Sequence, residues 1–212
     1  MIRLTAGSND ELVDALVHIG VLRTPSIIDA FRSVDRRNFV WPDMAKFSYQ
    51  DRPLPLGKTG QTISAPHMVA IMLENMNLNR EDTVLEIGTG SGYSAALISK
   101  LADKGTTITL ERNYDLYLFA VKNLLIFDRV RVIYGDGLLG YPPNAADPIY
   151  DVIVFAGSIK AIPEVLFKQI KETGSLMAPL GNVGYQMLTR IRRGTKEELG
   201  ACTFVPIKGG VE

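Results

Sequence analysis

The sequence predicts an α/β fold built on a largely parallel sheet, and three observations carry that expectation. From Thr83 onward, short apolar runs alternate with segments of helical periodicity, the pattern of strand–helix–strand units. One of those runs, Val84-Leu85-Glu86-Ile87, passes through three closely spaced glycines into a helical pattern. Finally, 212 residues suit one such domain with a modest extension better than two full domains. A chain of this size buries roughly 70% of the surface that its unfolded form exposes, enough for a sizeable core.

Residues 1–60 are expected to form a helical and loop extension packed on a core of residues 61–212. Asn9 or Asp10 is placed to cap a first helix carrying Leu12, Val13, Leu16 and Val17 at helical spacing. Thr24-Pro25 marks a second start, with Pro at the first helical position and Ile27, Ile28 and Phe31 on one face. Between Phe39 and Gln61 the recurrence of Pro42, Pro53, Pro55, Gly57 and Gly60 predicts an ordered loop with little regular structure. Loops of that length in compact domains are often functional. A third helix starts near Pro66 and runs through Met68, Val69, Met72 and Leu73, its methionines read as core filler. Strands are expected at 83–87, 106–110, 130–134, 151–156 and 175–179, with helices starting near Gly92, Asn113 and Pro163. Residues 185–192 and 201–207 pattern as an antiparallel hairpin around a polar turn at 194–200. There is no internal repeat and no low-complexity segment.

Lys and Arg total 23 and Asp and Glu total 23, so the formal net charge is zero. No strong basic field draws the protein onto nucleic acid or an anionic membrane. The cluster Arg190, Arg192, Arg193 reads as the solvated face of a late strand. A single cysteine, Cys202, excludes an intramolecular disulfide and argues against a thiolate zinc cluster. In its apolar surroundings it reads as a small buried hydrophobe. The N-terminus lacks the apolar core of a signal peptide, and no stretch approaches the roughly 18 apolar residues of a membrane span. A cytoplasmic globular protein without bound metal is expected, with no nucleic-acid or membrane partner.

The chemistry concentrates on Val84-Leu85-Glu86-Ile87-Gly88-Thr89-Gly90-Ser91-Gly92-Tyr93, a buried strand turning into a helix. Glycine is needed where the backbone turns tightly or lies against a ligand, and open α/β sheets bind ligands at the carboxyl ends of their strands. The Gly-x-Gly-x-Gly spacing differs from the Gly-x-Gly-x-x-Gly of dinucleotide enzymes, whose longer turn aims a helix N-terminus at a pyrophosphate. S-adenosylmethionine has no phosphate; its aminoacyl carboxylate and sulfonium call for polar backbone and an acidic neighbour, which Glu86 supplies. Glu111 ends the second strand about two dozen residues beyond Gly88, close to the roughly 20 expected of an acid that grips ribose hydroxyls. A carboxylate suits that task because it only accepts hydrogen bonds. Asp136, in Gly135-Asp136-Gly137 after the third strand, stands where an adenine amino group is met. Acids at the ends of three consecutive strands point to a shared nucleoside pocket.

Upstream, Tyr49 to Gly57 leads into Gly60-Gln61-Thr62-Ile63-Ser64-Ala65-Pro66-His67. Pro66 holds Ala65 extended and suits the first helical position, so Ser64 sits just before a helix N-terminus. Free N–H groups and the positive end of the helix dipole favour a carboxylate there, and the Ser64 hydroxyl adds a donor. A plain turn or cap role for Ser64 is the alternative. His18 reads as structural, and His67 as a helix-start residue within reach of a ligand.

Asp51-Arg52-Pro53-Leu54-Pro55-Leu56-Gly57, Gly60-Gln61-Thr62-Ile63-Ser64, the Val84–Tyr93 run and Gly135-Asp136-Gly137 together resemble the protein-L-isoaspartate O-methyltransferases. The likeness spans nearly the whole chain, with Arg37-Asn38-Phe39-Val40, Ile162-Pro163, Gln186-Met187-Leu188 and Phe204-Val205-Pro206 also falling where that family has similar segments. The resemblance implies a class I S-adenosylmethionine-dependent (Rossmann-like) fold, with a seven-stranded sheet ending in an antiparallel strand. It implies methylation of the α-carboxylate of L-isoaspartyl residues in damaged proteins and peptides. Ser64 matches the family's active-site serine. Thr62, Ile63 and Ser64 match its cofactor-and-substrate loop, and Glu86, Gly88, Thr89, Gly90, Gly92, Glu111, Arg112, Asp136 and Gly137 match its cofactor-binding positions. Two departures stand out. Phe155-Ala156-Gly157-Ser158 carries Phe155 where the family has threonine, which bears on one pocket wall. The tail beyond Phe204-Val205-Pro206-Ile207 is shorter than in members that use it near the substrate.

Transfer of a methyl group from a sulfonium to a carboxylate is a direct displacement, and the carboxylate is already ionised at neutral pH, so no strong general base is required. Alignment and desolvation then carry the catalysis, consistent with a chain that has only two histidines. A methyltransferase acting on RNA or a small molecule is the competing enzyme. Against it stand the zero net charge, the lack of an Asn-Pro-Pro-Tyr-type site and the remoteness of Cys202. A non-catalytic nucleoside-binding protein is the competing class; the glycine spacing disfavours a nicotinamide dehydrogenase.

Overall fold

A computed structural model describes residues 6–182 and 184–211. Residues 1–5, at the start of the expected extension, and Val183 and Glu212 lie outside the described residues. In chain order the elements are α1 (Asn9–His18), α2 (Pro25–Ser33), β1 (Leu54–Pro55), β2 (Thr62–Ile63), α3 (Pro66–Met76), β3 (Thr83–Ile87) and α4 (Tyr93–Leu101). Then come β4 (Thr106–Glu111), α5 (Tyr114–Asn123), β5 (Val130–Tyr134), β6 (Tyr150–Phe155), α6 (Glu164–Gln169), β7 (Ile170–Asn182), β8 (Tyr185–Arg192) and β9 (Thr195–Cys202).

The apolar runs of the second half become one seven-stranded sheet of order β5-β4-β3-β6-β7-β8-β9. Strands β5 to β7 pair in parallel, and β8 and β9 close the sheet antiparallel. Alternate residues of a strand point to opposite faces. Val84 and Val152 accordingly pack on the side of α1 to α4, while Leu85 and Ile153 pack on the other with Phe155 and Leu166. Both faces are covered, which is why the central strands read as continuous apolar runs rather than alternating ones. Chain order reverses beside β3: β4 and β5 build outward on one side, and β6 then returns to its other edge.

The three early helices form where expected, with Thr24 and Pro25 starting α2 and Pro66 at the first position of α3. The cap of α1 is Ser8, whose hydroxyl accepts from the Glu11 amide at 3.2 Å. Asn9 instead turns inward and donates to the Phe31 carbonyl at 2.8 Å, tying α1 to α2. The proline-rich loop contains more structure than its composition suggests: 3-10 turns at Arg36–Phe39 and Pro42–Phe47, and the small antiparallel pair β1–β2. His18 is exposed at the end of α1.

The final hairpin differs from expectation. Arg193 (φ 49°) and Gly194 (φ 76°) both adopt the left-handed region and make a two-residue turn. The polar run after it is therefore strand β9 rather than the turn, and Lys196, Glu197 and Glu198 form an exposed, charged sheet edge that discourages further pairing. Residues 203–207 leave the sheet. In the arginine cluster, Arg192 and Arg193 are exposed, whereas Arg190 is mostly covered and donates to the Asn75 carbonyl and to Glu197. Cys202 is half-buried, and burial raises its thiol. No helix among the described residues is long and apolar enough to cross a membrane.

The early helices share a core with the sheet: Leu12, Leu16, Ile27 and Phe31 belong to the same buried cluster as Ala95, Ala96 and Leu97 of α4. Glu74 of α3 fastens them. Its side chain is 4% exposed, and it accepts from the Arg23 amide (2.7 Å), the Thr24 amide (2.9 Å) and the Thr24 hydroxyl (2.7 Å) at the start of α2. Burial alone would raise this carboxyl, but the three donors outweigh it and hold it below the usual range. A depressed carboxyl stabilises the fold above its unfolded-state value, and the contribution disappears as pH falls through the folded value. Glu74→Ala is expected to cost about 2 kcal/mol at pH 7 in urea unfolding, with the gap from the unmodified chain narrowing in acid. A gap below about 0.5 kcal/mol would mean that the packing alone holds α2.

Candidate functional site

The turn after β3 is held in shape by its neighbour strand. The amides of Gly88 and Thr89 donate to the Leu110 carbonyl at 2.9 and 3.1 Å. Gly88 (φ 96°) and Gly90 (φ 56°) take the left-handed backbone that the reversal needs. A Cβ on Gly88 would stand 3.1 Å from Ile207 Cδ1, across the cleft that opens above the turn. Gly92 (φ 87°) shares that backbone and has a further task. A Cβ there would lie 2.7 Å from Leu124, so this glycine lets α4 pack on α5 and does not line the cleft.

Glu111, at the end of β4, is 6% exposed. One carboxylate oxygen accepts from the Gly90 amide (2.8 Å) and the other from the Asn113 amide (2.9 Å). Burial raises its pKa, and the Asn113, Gly90 and Arg112 groups pull against that rise. With three backbone donors on its roughly four acceptor sites, the carboxylate keeps room for a further donor. Glu86 lies deeper, fully buried beneath the turn and outside the cleft lining. Its Oε2 accepts from the Thr109 hydroxyl at 2.6 Å, and Thr109 in turn lies 2.7 Å from the Thr89 hydroxyl. Because Thr109 gives its only proton to an ionised Glu86, Thr89 must be the donor to Thr109 in that state. Glu86 Oε1 has no hydrogen-bond partner. Burial pushes this carboxyl up to about 7, against the Thr109 and Ser94 hydroxyls, while nearby Glu111 pushes the same way as burial.

Asp136 does not line the cleft either. One oxygen caps the short turn Gly137–Leu139 through the Leu138 amide (2.9 Å), and the other accepts from the Gly210 amide (2.6 Å). Arg112 donates to the Gly210 carbonyl at 2.6 Å. Residues 205–210 thus form a strap across the carboxyl ends of the strands, also bonded to Ser158 through Val205 and Ile207. The sequence pattern placed residues 201–207 in a hairpin strand and gave no sign of this strap. Phe155, the departure noted above, is wholly buried against Ile87 in the lower core; Ala156 and Gly157 form the cleft wall instead.

Across the cleft stands the Gln61–Ser64 segment. Thr62, Ile63 and Ser64 line it with Gly88, Thr89 and Gly90, and Glu111, Arg112 and Gly137 complete that part of the wall. The cleft encloses about 840 Å³ including its open mouth. Ala65 caps α3 without a side-chain bond, and Asp51 takes the His67 amide (2.9 Å) and also faces His67 Nδ1 at 2.9 Å. That contact raises the His67 pKa in spite of burial; His67 braces the loop and does not line the cleft. Beneath the loop lies a residue that pattern reading passed over. Arg36 is 0% exposed, and its guanidinium donates to the carbonyls of Ser48 (2.6 Å), Arg52 (3.1 Å) and Ser64 (3.1 Å). Its only sequence signal is an arginine set in the Val34–Val40 stretch, with no neighbour pattern to mark it as buried.

The two walls differ in charge. Glu86, with an unpartnered oxygen, and Glu111 close on the glycine turn, which favours a cationic group over a phosphate. The Gly88 backbone leaves room that a side chain would fill. These features fit S-adenosylmethionine.

Residues 7–212 match the protein family described as protein-L-isoaspartate(D-aspartate) O-methyltransferase. The chain is 41% identical over 202 residues to the protein-L-isoaspartate O-methyltransferase of Methanococcus vannielii, covering 92% of this chain and 95% of that one. It is 43% identical over 208 residues to the enzyme of that name from Thermococcus sibiricus, covering 93% and 92%. The fold is similar to the crystal structure of a Plasmodium falciparum protein described as a protein-L-isoaspartate O-methyltransferase in complex with S-adenosyl-L-homocysteine. There the TM-score is 0.85 and the identity 25%, over 96% of this chain and 99% of that chain.

The raised Glu86 carboxyl has a consequence for stability. Its folded value of about 7 stands above an unfolded value near 4.5, so the folded state holds a proton that the unfolded state has lost between those pH values. The resulting cost is absent in acid, grows as pH rises from 4.5 to 7 and is complete above 7, where it amounts to about 3 kcal/mol. Glu86→Gln removes the charge and keeps the shape. Denaturant titrations are expected to show it more stable than the unmodified chain at pH 8 and no more stable near pH 4; equal stability at both would mean that the charge carries no cost.

Proposed function

The chain belongs to the protein-L-isoaspartate(D-aspartate) O-methyltransferase family, and from that premise we propose how its cleft performs the reaction. It transfers a methyl group from S-adenosylmethionine to the α-carboxylate of L-isoaspartyl residues in damaged proteins and peptides. The observation that carries the proposal is the meeting of the Gln61–Ser64 segment, the glycine turn and Glu111 on one cleft.

In this reading Glu111 receives the ribose, for which its carboxylate has acceptor capacity left beside its three backbone donors. The backbone of Gly88, Thr89 and Gly90 lies along the aminoacyl end, and Glu86 stabilises its positive charge from below through Thr109 and Thr89. Gly137 gives the base a flat surface. Asp136 and Arg112 contribute by latching Gly210, and Gly92 by the packing that sets the direction of α4. Thr62 and Ile63 form the wall that the donor and acceptor share. The donor supplies an electrophilic methyl group when bound. Ser64 holds the acceptor carboxylate with its hydroxyl, aiming an already ionised nucleophile, and the strap keeps water out. No residue has to remove a proton.

Damaged polypeptides are its partners in this proposal, and neither nucleic acid nor a membrane is; the balanced charge supports that reading. We assign it to the cytoplasm. Residues 1–60 act as an extension on the core of residues 61–212, which the shared buried cluster supports.

Ser64→Ala is expected to lower turnover of an isoaspartyl peptide by about ten- to a hundredfold while calorimetric affinity for S-adenosylhomocysteine stays within about twofold. Loss of both in step would remove Ser64 from the acceptor. Glu111→Ala is expected to weaken S-adenosylhomocysteine by about tenfold or more; unchanged affinity would take the ribose away from it.

A further inference from the structure

Arg36 is the most deeply buried cation among the described residues that the proposed chemistry leaves without a task. It lies in the 3-10 turn Arg36–Phe39, and its two terminal nitrogens reach carbonyls from three separate segments, at Ser48, Arg52 and Ser64. Among the described residues no carboxylate is hydrogen-bonded to it. Its Nε has no partner, and neither does the buried hydroxyl of Tyr93, a cleft residue on α4. Asp51 is the acid that acts on it, but the Asp51 oxygens are already engaged by the amide and Nδ1 of His67. Arg52 adds a second positive charge from the outer side of the same loop. Burial draws the guanidinium down to about 10, so it remains charged throughout the neutral range.

Such an arrangement is costly as a fastening. Three carbonyl dipoles satisfy hydrogen bonds, yet they compensate a buried unit charge less well than an anion does, and an apolar side chain of similar volume is often no less stable. Placed under the Ser64 turn, the charge has a use. The acceptor is an anion, and a positive field that water does not screen favours its arrival at that spot over a neutral analogue. The planar fork of arginine also does what a lysine cannot, reaching several carbonyls at fixed angles.

We propose that Arg36 is a positioning residue for the methyl acceptor: it fixes the Ser64 carbonyl and lends the Ser64 turn a positive charge that selects the acceptor's carboxylate. The inference rests on the reading of Ser64 as the acceptor-binding residue. The Ser64 carbonyl accepts from the Arg36 guanidinium at 3.1 Å, so the Ser64 turn is oriented by the same group that supplies the field. Charge is thereby divided across the cleft. Glu86 and Glu111 lie at the glycine turn, and Arg36, partly offset by Asp51, lies beneath the Ser64 turn.

The test compares Arg36→Met, which removes the charge and keeps much of the volume, with Arg36→Lys, which keeps the charge and loses the fork. Each is titrated with an isoaspartyl peptide and with the same peptide carrying an α-carboxamide in place of the carboxylate. S-adenosylhomocysteine affinity, measured alongside, reports that the cleft is folded. Arg36→Met is expected to lose about tenfold of the preference for carboxylate over amide, with S-adenosylhomocysteine affinity within about twofold. Arg36→Lys is expected to retain that preference and to lose turnover, because fewer carbonyls are held. An unchanged preference in Arg36→Met overturns the proposal. So does a parallel loss of peptide and S-adenosylhomocysteine affinity in both variants, which is what a purely structural role produces. Should Arg36→Met fail to fold, Arg36→Lys decides alone: unchanged turnover, or loss of the carboxylate preference, overturns the proposal. Ser64→Ala, run in parallel, separates the two readings. If it leaves peptide affinity and turnover intact, the Ser64 assignment fails; if it acts while Arg36→Met keeps the preference, the Arg36 proposal fails by itself.

Discussion

Strand β3 borders β4 on one side and β6 on the other, and the chain leaves it in both directions. That reversal opens a crevice at the carboxyl ends of the parallel strands, since the connections on either side of β3 run to opposite faces of the sheet. The glycine turn, Glu111, Gly137 and the Ala156-Gly157 wall all stand at that end because each follows a strand that stops there. Hydrogen bonds then lock the position. The Leu110 carbonyl takes the amides of Gly88 and Thr89, and the Glu111 carboxylate takes that of Gly90, so β4 sets the path of the turn that follows β3.

Electrostatics separates what the backbone brings together. Two buried acids lie under or beside the glycine turn, and one buried arginine lies beneath the Ser64 turn. Each would cost stability in an empty protein core, and each has neighbours that reduce the cost without cancelling it: two threonines for Glu86, backbone amides for Glu111, three carbonyls for Arg36. The division suits a reaction that joins a cationic donor to an anionic acceptor. Such fields are local and less screened by salt than those of exposed charges, although the net charge of the chain is zero. The two-sided apolar core beneath the sheet carries the stability that such sites consume.

Much of this was legible before the structure. Parallel strands such as Thr83–Ile87 and Val130–Tyr134 declare themselves through apolar runs, and Pro25 and Pro66 mark helix starts by their own geometry. The glycine turn and Glu111 were legible because strand-end positions and residue chemistry agree locally. What escaped was set by distance along the chain or by a single dihedral. The left-handed Arg193 moved β9 forward and turned an apparent loop into a charged edge. Asp136 lies outside the cleft lining and is tied to Gly210, 74 residues away. Gly92 proved to be a packing residue only once Leu124 lay against it. Arg36 is the clearest case, since its three carbonyl partners come from segments 12, 16 and 28 residues away and share no pattern with it.

The central claim is that this cleft distinguishes an isoaspartyl carboxylate from an ordinary aspartyl one and methylates it. The most direct measurement is radiolabelled methyl transfer from S-adenosylmethionine to two peptides identical except for isoaspartate or aspartate at one position. Labelling of the isoaspartyl peptide alone, released again by mild base as a methyl ester would be, is the expected result. Equal labelling of both peptides would contradict the account.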